Sequence, residues 1–361
     1  MMEQQAGQDA PAAAKPEPKL SAEAVTWAFR LLISRDPFTQ EEIENQRTLP
    51  DLATLRRVFA ETWEFHDFFD SIPDGVPTYG MPIFLMRPPA DPAFPFRFAP
   101  PSLEDPVGQM CTAAQFDDPA FTEIMQAMGM SPMRSRRSWE QAWIVSVLAT
   151  HGMVAQGRRG LGLGVGRERI PSLLASRGVQ VLASDLAAEA LALPEGAERM
   201  GLFYPEILHL EDFEQLVDYR TLDMRQLPAD LDGQFDFCWS ASALDRLGPV
   251  EAAAAFLEES LRVLKPGGIS AHTFNLNISS DTALLRHPSL CALRRQDLET
   301  LAARIRSQGH EMLPVNLHPG LDAEDAEVSA RPDGPPRPKQ RHGSSVLTSF
   351  GLVLRKAGAQ G

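Results

Sequence analysis

RRGLGLGVGRERIPSLLASRGVQVLASD, residues 158–185, decides the fold of this chain. An apolar run carrying Gly162, Gly164 and Gly166 leads into a helical segment expected over 169–176. The chain then turns at Arg177-Gly178, and a second apolar run, 179–183, ends at Asp185. Strand, glycine turn, helix, strand, acid is the order of a nucleotide-binding βαβ unit. Glycine removes the Cβ where a backbone must bend sharply and approach a ligand. A carboxylate at the tip of the second strand is placed to accept hydrogen bonds from a ribose diol. The distance in sequence from Gly164 to Asp185 fits the roughly 20 residues of that geometry. The turn alone does not choose the ligand.

Composition narrows the classes. A chain of 361 residues has room for one sizeable core and a smaller module. Its net charge of -14 argues against a polyanion, so no nucleic-acid partner is expected. No apolar run approaches the ~20 residues of a membrane span. The opening MMEQQAGQDAPAAAKPEPK has neither the basic start nor the apolar core of a secretory signal. Cys111, Cys238 and Cys291 have neither metal-ligand spacing nor the even count of a disulfide framework, so no metal is expected. The expected compartment is the cytoplasm. The oligomeric state is not legible.

Working outward, residues 1–20 read as a disordered tail. A helical module follows over 21–72, with Val25, Phe29 and Leu32 on one face, then Leu55, Val58, Phe59, Trp63 and Phe69 on another. It resembles the small helical repeats of bacterial glycan-handling chains through Arg30-Leu31-Leu32, Arg35, Leu55-Arg56-Arg57, Phe59 and Glu64-Phe65. A plain helical hairpin explains the same pattern. Residues 73–107 hold ten of the thirty prolines, among them Pro73 and Pro77, and read as a linker or strap. Their phenylalanines, Phe84, Phe94, Phe96 and Phe98, suit a segment wrapped on a surface. Residues 108–129 read as mostly helical. A clear helix is expected over 138–151, with Ser138 as N-cap and Trp139, Trp143 and Val147 on one face.

Beyond Asp185, strands expected at 217–222, 235–239, 269–274, 311–315 and 346–354 alternate with helices at 211–216, 250–264 and 297–307. This alternation predicts an α/β fold, a Rossmann-like, doubly wound, mostly parallel seven-stranded sheet over 108–356. A loop insertion at 319–343 separates the last two strands, which can pair antiparallel at an edge.

With the elements placed, the chain resembles a class I S-adenosylmethionine-dependent methyltransferase over about 139–356. The resemblance rests on residues 161–166, Asp185, Asp223-Met224 and the Leu264-Lys265-Pro266-Gly267-Gly268 turn. It is similar to bacterial members, often linked to surface glycans, through Arg136-Arg137-Ser138-Trp139-Glu140, Trp239-Ser240-Ala241-Ser242 and His272-Thr273-Phe274-Asn275. The resemblance implies S-adenosyl-L-methionine as cofactor, held by Gly162, Gly164, Gly166, Glu168, Asp185, Asp223, Met224 and Ser240. Asp223 would accept from the adenine amino group while Met224 packs on the ring. Two departures stand out. Gly162 occupies the place of the usual acid, and Glu168 that of the third glycine. Glu168 can supply the missing carboxylate to the methionine ammonium, or it is a solvated glutamate favoured by the helix dipole. Leu244-Asp245-Arg246-Leu247 replaces a common "EHL", which puts a histidine base there in doubt.

For the reaction, His272 is the expected general base, with Asp245 and His151 as weaker candidates and Ser242 and Asn275 as acceptor-binding groups. Asp236 reads as a structural anchor. The absence of Asp-Pro-Pro-Tyr or Asn-Pro-Pro-Tyr disfavours methylation of base amino groups. The expected activity is in-line methyl transfer to a glycan or small hydroxylated acceptor, and the 319–343 insertion, carrying Arg331, Arg337, Lys339, Arg341 and His342, reads equally as an acceptor lid or a disordered loop. The alternatives are a non-catalytic cofactor-binding scaffold and a nicotinamide-dependent oxidoreductase. The latter needs Gly or Ala where this chain has Arg167 or Arg169.

Overall fold

A computed structural model of the chain describes residues 19–33, 35–62, 64–65, 82–186, 196–285, 290–329 and 337–358. The tail to residue 18, Trp63, Phe69, Pro73, Pro77 and Arg331 lie outside the described residues. The chain divides into two compact units, Met1–Pro73 and Asp74–Gly361.

The first unit holds helices Ala22–Ile33, Gln40–Arg47 and Leu52–Ala60. Thr39 and Asp51 cap the second and third by accepting from the Glu42 and Thr54 amides. Val25, Phe29, Ile33, Leu55 and Phe59 form its core, with the Phe29 and Phe59 rings edge to face at 4.7 Å. Arg35 lies over the Phe29 ring and pairs with Glu42 and Glu64.

Among the described residues, the second unit is built on one sheet of twelve strands. These are β1 (Phe96–Arg97), β2 (Gly108–Met110), β3 (Arg159–Leu163), β4 (Gln180–Asp185), β5 (Val217–Thr221) and β6 (Phe235–Ala241), followed by β7 (Leu264–Asn277), β8 (Glu311–Met312), β9 (Val315–Asn316), β10 (Val328–Ser329), β11 (Lys339–His342) and β12 (Ser345–Arg355). The main order is β1-β9-β2-β12-β7-β6-β3-β4-β5. Strands β3 to β7 pair in parallel, and β12 enters antiparallel beside β7. The chain runs outward from β3 to β5, then crosses back to β6 on the other side of β3. That reversal opens a crevice at the carboxyl ends of β3 and β6, where open α/β sheets bind ligands.

Alternation along the strands divides the core into two layers. Phe237, Trp239, Ile269 and Ala271 face one layer, and Cys238, Phe274 and Leu276 the other; Phe235 joins the second layer through the register shift between Phe235 and Phe237. Each layer is covered by helices, as a doubly wound sheet requires.

Four expectations change in detail. The seven strands become twelve, because short segments around residues 96, 109, 315, 328 and 340 join a sheet edge that only the folded chain offers. Gly108–Met110, expected to be helical, is a strand because Gln109 and Met110 pair with Gly351 and Phe350. The 319–343 insertion carries a helical turn, Ala323–Ala326, together with β10 and β11. β12 pairs antiparallel with β8 as expected, yet it lies inside the sheet, flanked by β7.

One helix, Arg136–Thr150, carries much of the site. It begins earlier than expected, because Ser135 and not Ser138 is the cap: its hydroxyl accepts the Ser138 amide at 3.2 Å. Trp139 and Trp143 are fully buried and stacked, and their indole N–H groups donate to Gln115 Oε1 and the Val107 carbonyl at 2.9 and 3.0 Å. Trp143 lies so close to β12 that a Cβ at Gly351 would stand 2.3 Å from its ring. This contact fixes the helix on the sheet and aims its first turn at the crevice.

Candidate functional site

A cavity of about 680 Å³ occupies the crevice, within the size range of small-molecule sites. Its wall comes from the β3 turn (Gly164, Val165, Gly166), Asp185 at the end of β4, residues 222–225 after β5, residues 241–243 after β6, Asn275 in β7 and the first turn of the Arg136–Thr150 helix. Gln340 and His342 of β11 complete it.

The glycine turn is built as the sequence demands. Gly164 and Gly166 have φ of +68° and +52°, a region that L side chains rarely enter. Gly162 does not reach the cavity wall. It is glycine for packing, since a Cβ there would lie 2.6 Å from the Trp239 ring. Asp185 holds the turn from across the crevice: Oδ2 accepts the Gly166 amide and Oδ1 the Leu186 amide, both at 2.8 Å. A carboxylate has about four acceptor positions, so two remain open toward the cavity.

Glu168 also lines the cavity, yet only 5% of it is exposed. Oε2 accepts the Trp239 indole N–H at 3.3 Å, and Oε1 has no partner. Burial pushes its carboxyl up to about 8, against the opposing pull of the Trp239 bond and the Arg137 charge. Gln141, on the adjoining helix, leaves its own Oε1 buried and without a partner. Buried acceptors are almost always satisfied. Two orphans on one wall are a request for a group that only donates, and an ammonium is such a group.

Asp223 is engaged more fully than the sequence suggested. Arg225 grips it through Nε and Nη2 at 3.0 and 2.7 Å and through its amide at 2.9 Å, holding the carboxyl below the usual carboxylate range. Met224 lines the cavity beside it and is nearly buried. Ser242 has φ of +51°, the sole non-glycine residue with positive φ among the described residues. Its amide donates to the Thr273 carbonyl and hydroxyl at 3.0 and 3.1 Å. Such strain persists where the surroundings impose it, commonly at functional sites.

The expected base is misplaced. His272 is fully buried, with Nδ1 2.7 Å from Ser240 Oγ and Nε2 2.6 Å from Ser270 Oγ, and the Phe256 ring edge-on at 5.1 Å. Burial lowers its pKa to about 3. It does not reach the cavity, and neither does Ser240. Strand parity gives the reason: His272 and Asn275 are three apart on β7, so they face opposite sides of the sheet. Only Asn275 faces the cavity. Asp245 stands one step behind it, accepting the Asn275 amide and Nδ2 at 2.8 and 2.6 Å, with burial raising its carboxyl to about 7. His151 caps the far end of the Arg136–Thr150 helix and is not part of the wall. Asp236 anchors Arg159, Arg158 and Lys265.

Sequence reasoning missed several wall residues. Arg136 donates to Asn275 Oδ1, to Gln340 at 3.1 Å and to Ser349 at 2.9 Å, and Ser349 in turn donates to Glu140. Arg137 and Arg246 line the cavity, and among the described residues neither side chain has a hydrogen bond or ion pair. The Arg-Arg pair opening a tryptophan-rich helix was a visible signal. Gln340 gave none, and His342 was legible only as part of the 319–343 insertion, because both sit beyond a proline-rich stretch.

Among the described residues no helix is long and apolar enough to cross a membrane, and no cluster of His, Cys, Asp or Glu could hold a metal ion. Comparison with known proteins matches residues 161–271 to the family described as "Methyltransferase domain". A ubiquinone biosynthesis O-methyltransferase from Dechloromonas aromatica is 29% identical over 125 residues, 34% of this chain. The chain spans about half, 47%, of that curated relative's length. Among solved structures, a candidate sarcosine dimethylglycine methyltransferase from Galdieria sulphuraria is 17% identical, with 66% of this chain and 99% of that one covered at a TM-score of 0.42. Magnesium protoporphyrin IX methyltransferase from Synechocystis is 12% identical, with 69% and 90% covered at a TM-score of 0.38.

Proposed function

We propose, from the match of residues 161–271 to the methyltransferase-domain family, that this chain is a class I S-adenosylmethionine-dependent methyltransferase and that it methylates a hydroxyl of a small or glycan acceptor. The observation that carries the reading is the pair of orphaned acceptors, Glu168 Oε1 and Gln141 Oε1, on the wall of the Asp185 cavity. The donor supplies a methyl group on a sulfonium, activated for displacement. Glu168 and Gln141 would take its ammonium, unpaired Arg137 its carboxylate, and the open positions of Asp185 its ribose hydroxyls. Met224 offers a flexible apolar contact for the adenine. Asp223 meets the adenine amino group only by sharing acceptor capacity with Arg225.

On the acceptor side, Asn275 and Ser242 would orient the hydroxylated molecule. Asp245 and Arg136 keep the Asn275 carboxamide in one orientation, so little ordering is left to the moment of reaction. Alignment of this kind can supply roughly 7–11 kcal/mol of the barrier. The printed name of the Dechloromonas relative supports an oxygen acceptor. The likeness of the helical module to repeats of glycan-handling chains supports a glycan among the candidates.

Calorimetry on the full chain with S-adenosylmethionine, its demethylated product and NAD tests the donor. Binding of the first two and not the third is expected, and no binding of either would end the reading. Transfer of labelled methyl from the donor, offered monosaccharides and simple phenols in parallel, then sorts the acceptor class.

A further inference from the structure

The acceptor side of the cavity contains an imidazole that the sequence left inside a loop. β11 and β12 close on Gly343-Ser344, with His342 opposite Ser345 and Gly343 at φ +58°. A glycine of positive φ opening a two-residue loop is the chemistry of a tight hairpin, and it fixes the register of β11. Side chains two apart on a strand share a face. Gln340 and His342 therefore point the same way, and both line the cavity. Arg136 holds Gln340 at 3.1 Å, which fixes that face toward the site.

No other described histidine lines the cavity. The carboxylates on the wall have other partners or, in the reading above, other tasks on the donor. Asp185 serves two backbone amides, Asp223 serves Arg225, Glu140 accepts from Ser349, and Glu168 lies buried against Trp239.

We propose that His342 is the catalytic base that takes the proton of the acceptor hydroxyl, an inference that rests on the methyl-transfer reading above. The hydroxyl oxygen forms the new C–O bond with a lone pair as the sulfur–methyl bond breaks, leaving its electron pair on sulfur. The hydroxyl proton passes to the imidazole and from there to water. One positive charge enters on sulfonium and one leaves as the proton, so the step balances. Neutral imidazole has suitable basicity near pH 7, and such a base contributes about 10²–10⁴ in rate. The charged groups that share the cavity wall with the ring are Arg136, Arg137, Arg225 and Arg246 and the carboxylates Glu140, Glu168, Asp185 and Asp223; Lys339 and Arg341 lie on the opposite face of its own strand, and the paired segment of β12, 345–348, carries no charge.

The test is a histidine-selective NMR titration of the full chain with either donor or demethylated product bound. The His342 resonance is identified by its loss in His342→Gln, or by sequential assignment through Gly343 if that variant misfolds. An in-line transfer puts sulfur roughly 7 Å from the base, so the sulfonium should lower the His342 pKa by about 0.4–1.7 pH units relative to the product complex. Equal values in the two complexes, within about 0.1 unit, would overturn the proposal. If calorimetry shows that neither ligand binds, the donor reading fails first and this inference falls with it.

Discussion

Donor affinity should rise steeply with pH because of one side chain. Burial puts the Glu168 carboxyl at about 8, so it is mostly neutral at pH 7 in the free protein. Meeting an ammonium requires the ionised form. With that pKa the ionised share is roughly one in a hundred at pH 6 and about one in four at pH 7.5. Apparent affinity scales with the competent fraction, so S-adenosylmethionine should bind roughly twentyfold more tightly at pH 7.5 than at pH 6. Isothermal calorimetry across that range, in buffers of different ionisation enthalpy, should also show a proton released on binding. Glu168→Gln should flatten the profile to within about twofold and weaken binding at pH 7.5, through loss of a charge-assisted bond worth about 1.5–3 kcal/mol. Methylthioadenosine, which lacks the amino-acid end, should bind with no such slope. A slope that survives in Glu168→Gln would refute the assignment. The same shift has a stability signature. The folded pKa lies above the unfolded value of 4.5, so the stabilisation is complete below pH 4.5 and is lost as pH rises through 8, at up to about 1.4 kcal/mol per unit.

Asp185→Ala removes both the clamp on the Gly166 amide and the open ribose acceptors. Donor affinity should fall at least about tenfold, at the low end of 1.5–3 kcal/mol per charge-assisted bond, with the far-ultraviolet dichroism unchanged. An unaltered dissociation constant would remove Asp185 from the site. His272→Ala should leave the buried Ser240 hydroxyl without its partner, costing about 1–3 kcal/mol, while Ser270 keeps its bond to Ser260 and donor affinity stays within about twofold because the ring never reaches the cavity. In the wild type the depressed His272 pKa, about 3 against an ordinary 6.5, gives stability that is complete above pH 6.5. That stability is lost as pH falls toward 3, by up to about 1.4 kcal/mol per unit. The variant should lack that component, as urea denaturation at pH 4.5 and 7 would reveal.

The amino-acid order by itself determined the framework of the second unit. Glycine φ values, strand alternation and the acid at the end of β4 are local matters, so residues 158–185 could be read without any distant neighbour. The same locality placed Glu168 beside the turn and the strands of β5, β6 and β7 in order. Tertiary structure decided everything that depends on which face a side chain takes and which distant segment meets it. Strand parity on β7 separated His272 from Asn275, although the two are three residues apart. The orphaned Glu168 oxygen is a fact of burial under Trp239 and the 136–150 helix, and no spacing could report it. Arg136 reaches Asn275, Gln340 and Ser349 from more than 130 residues away. His342 became a wall residue only when β11 paired with β12, because burial and long-range pairing are properties of the packed chain and leave no period in the sequence.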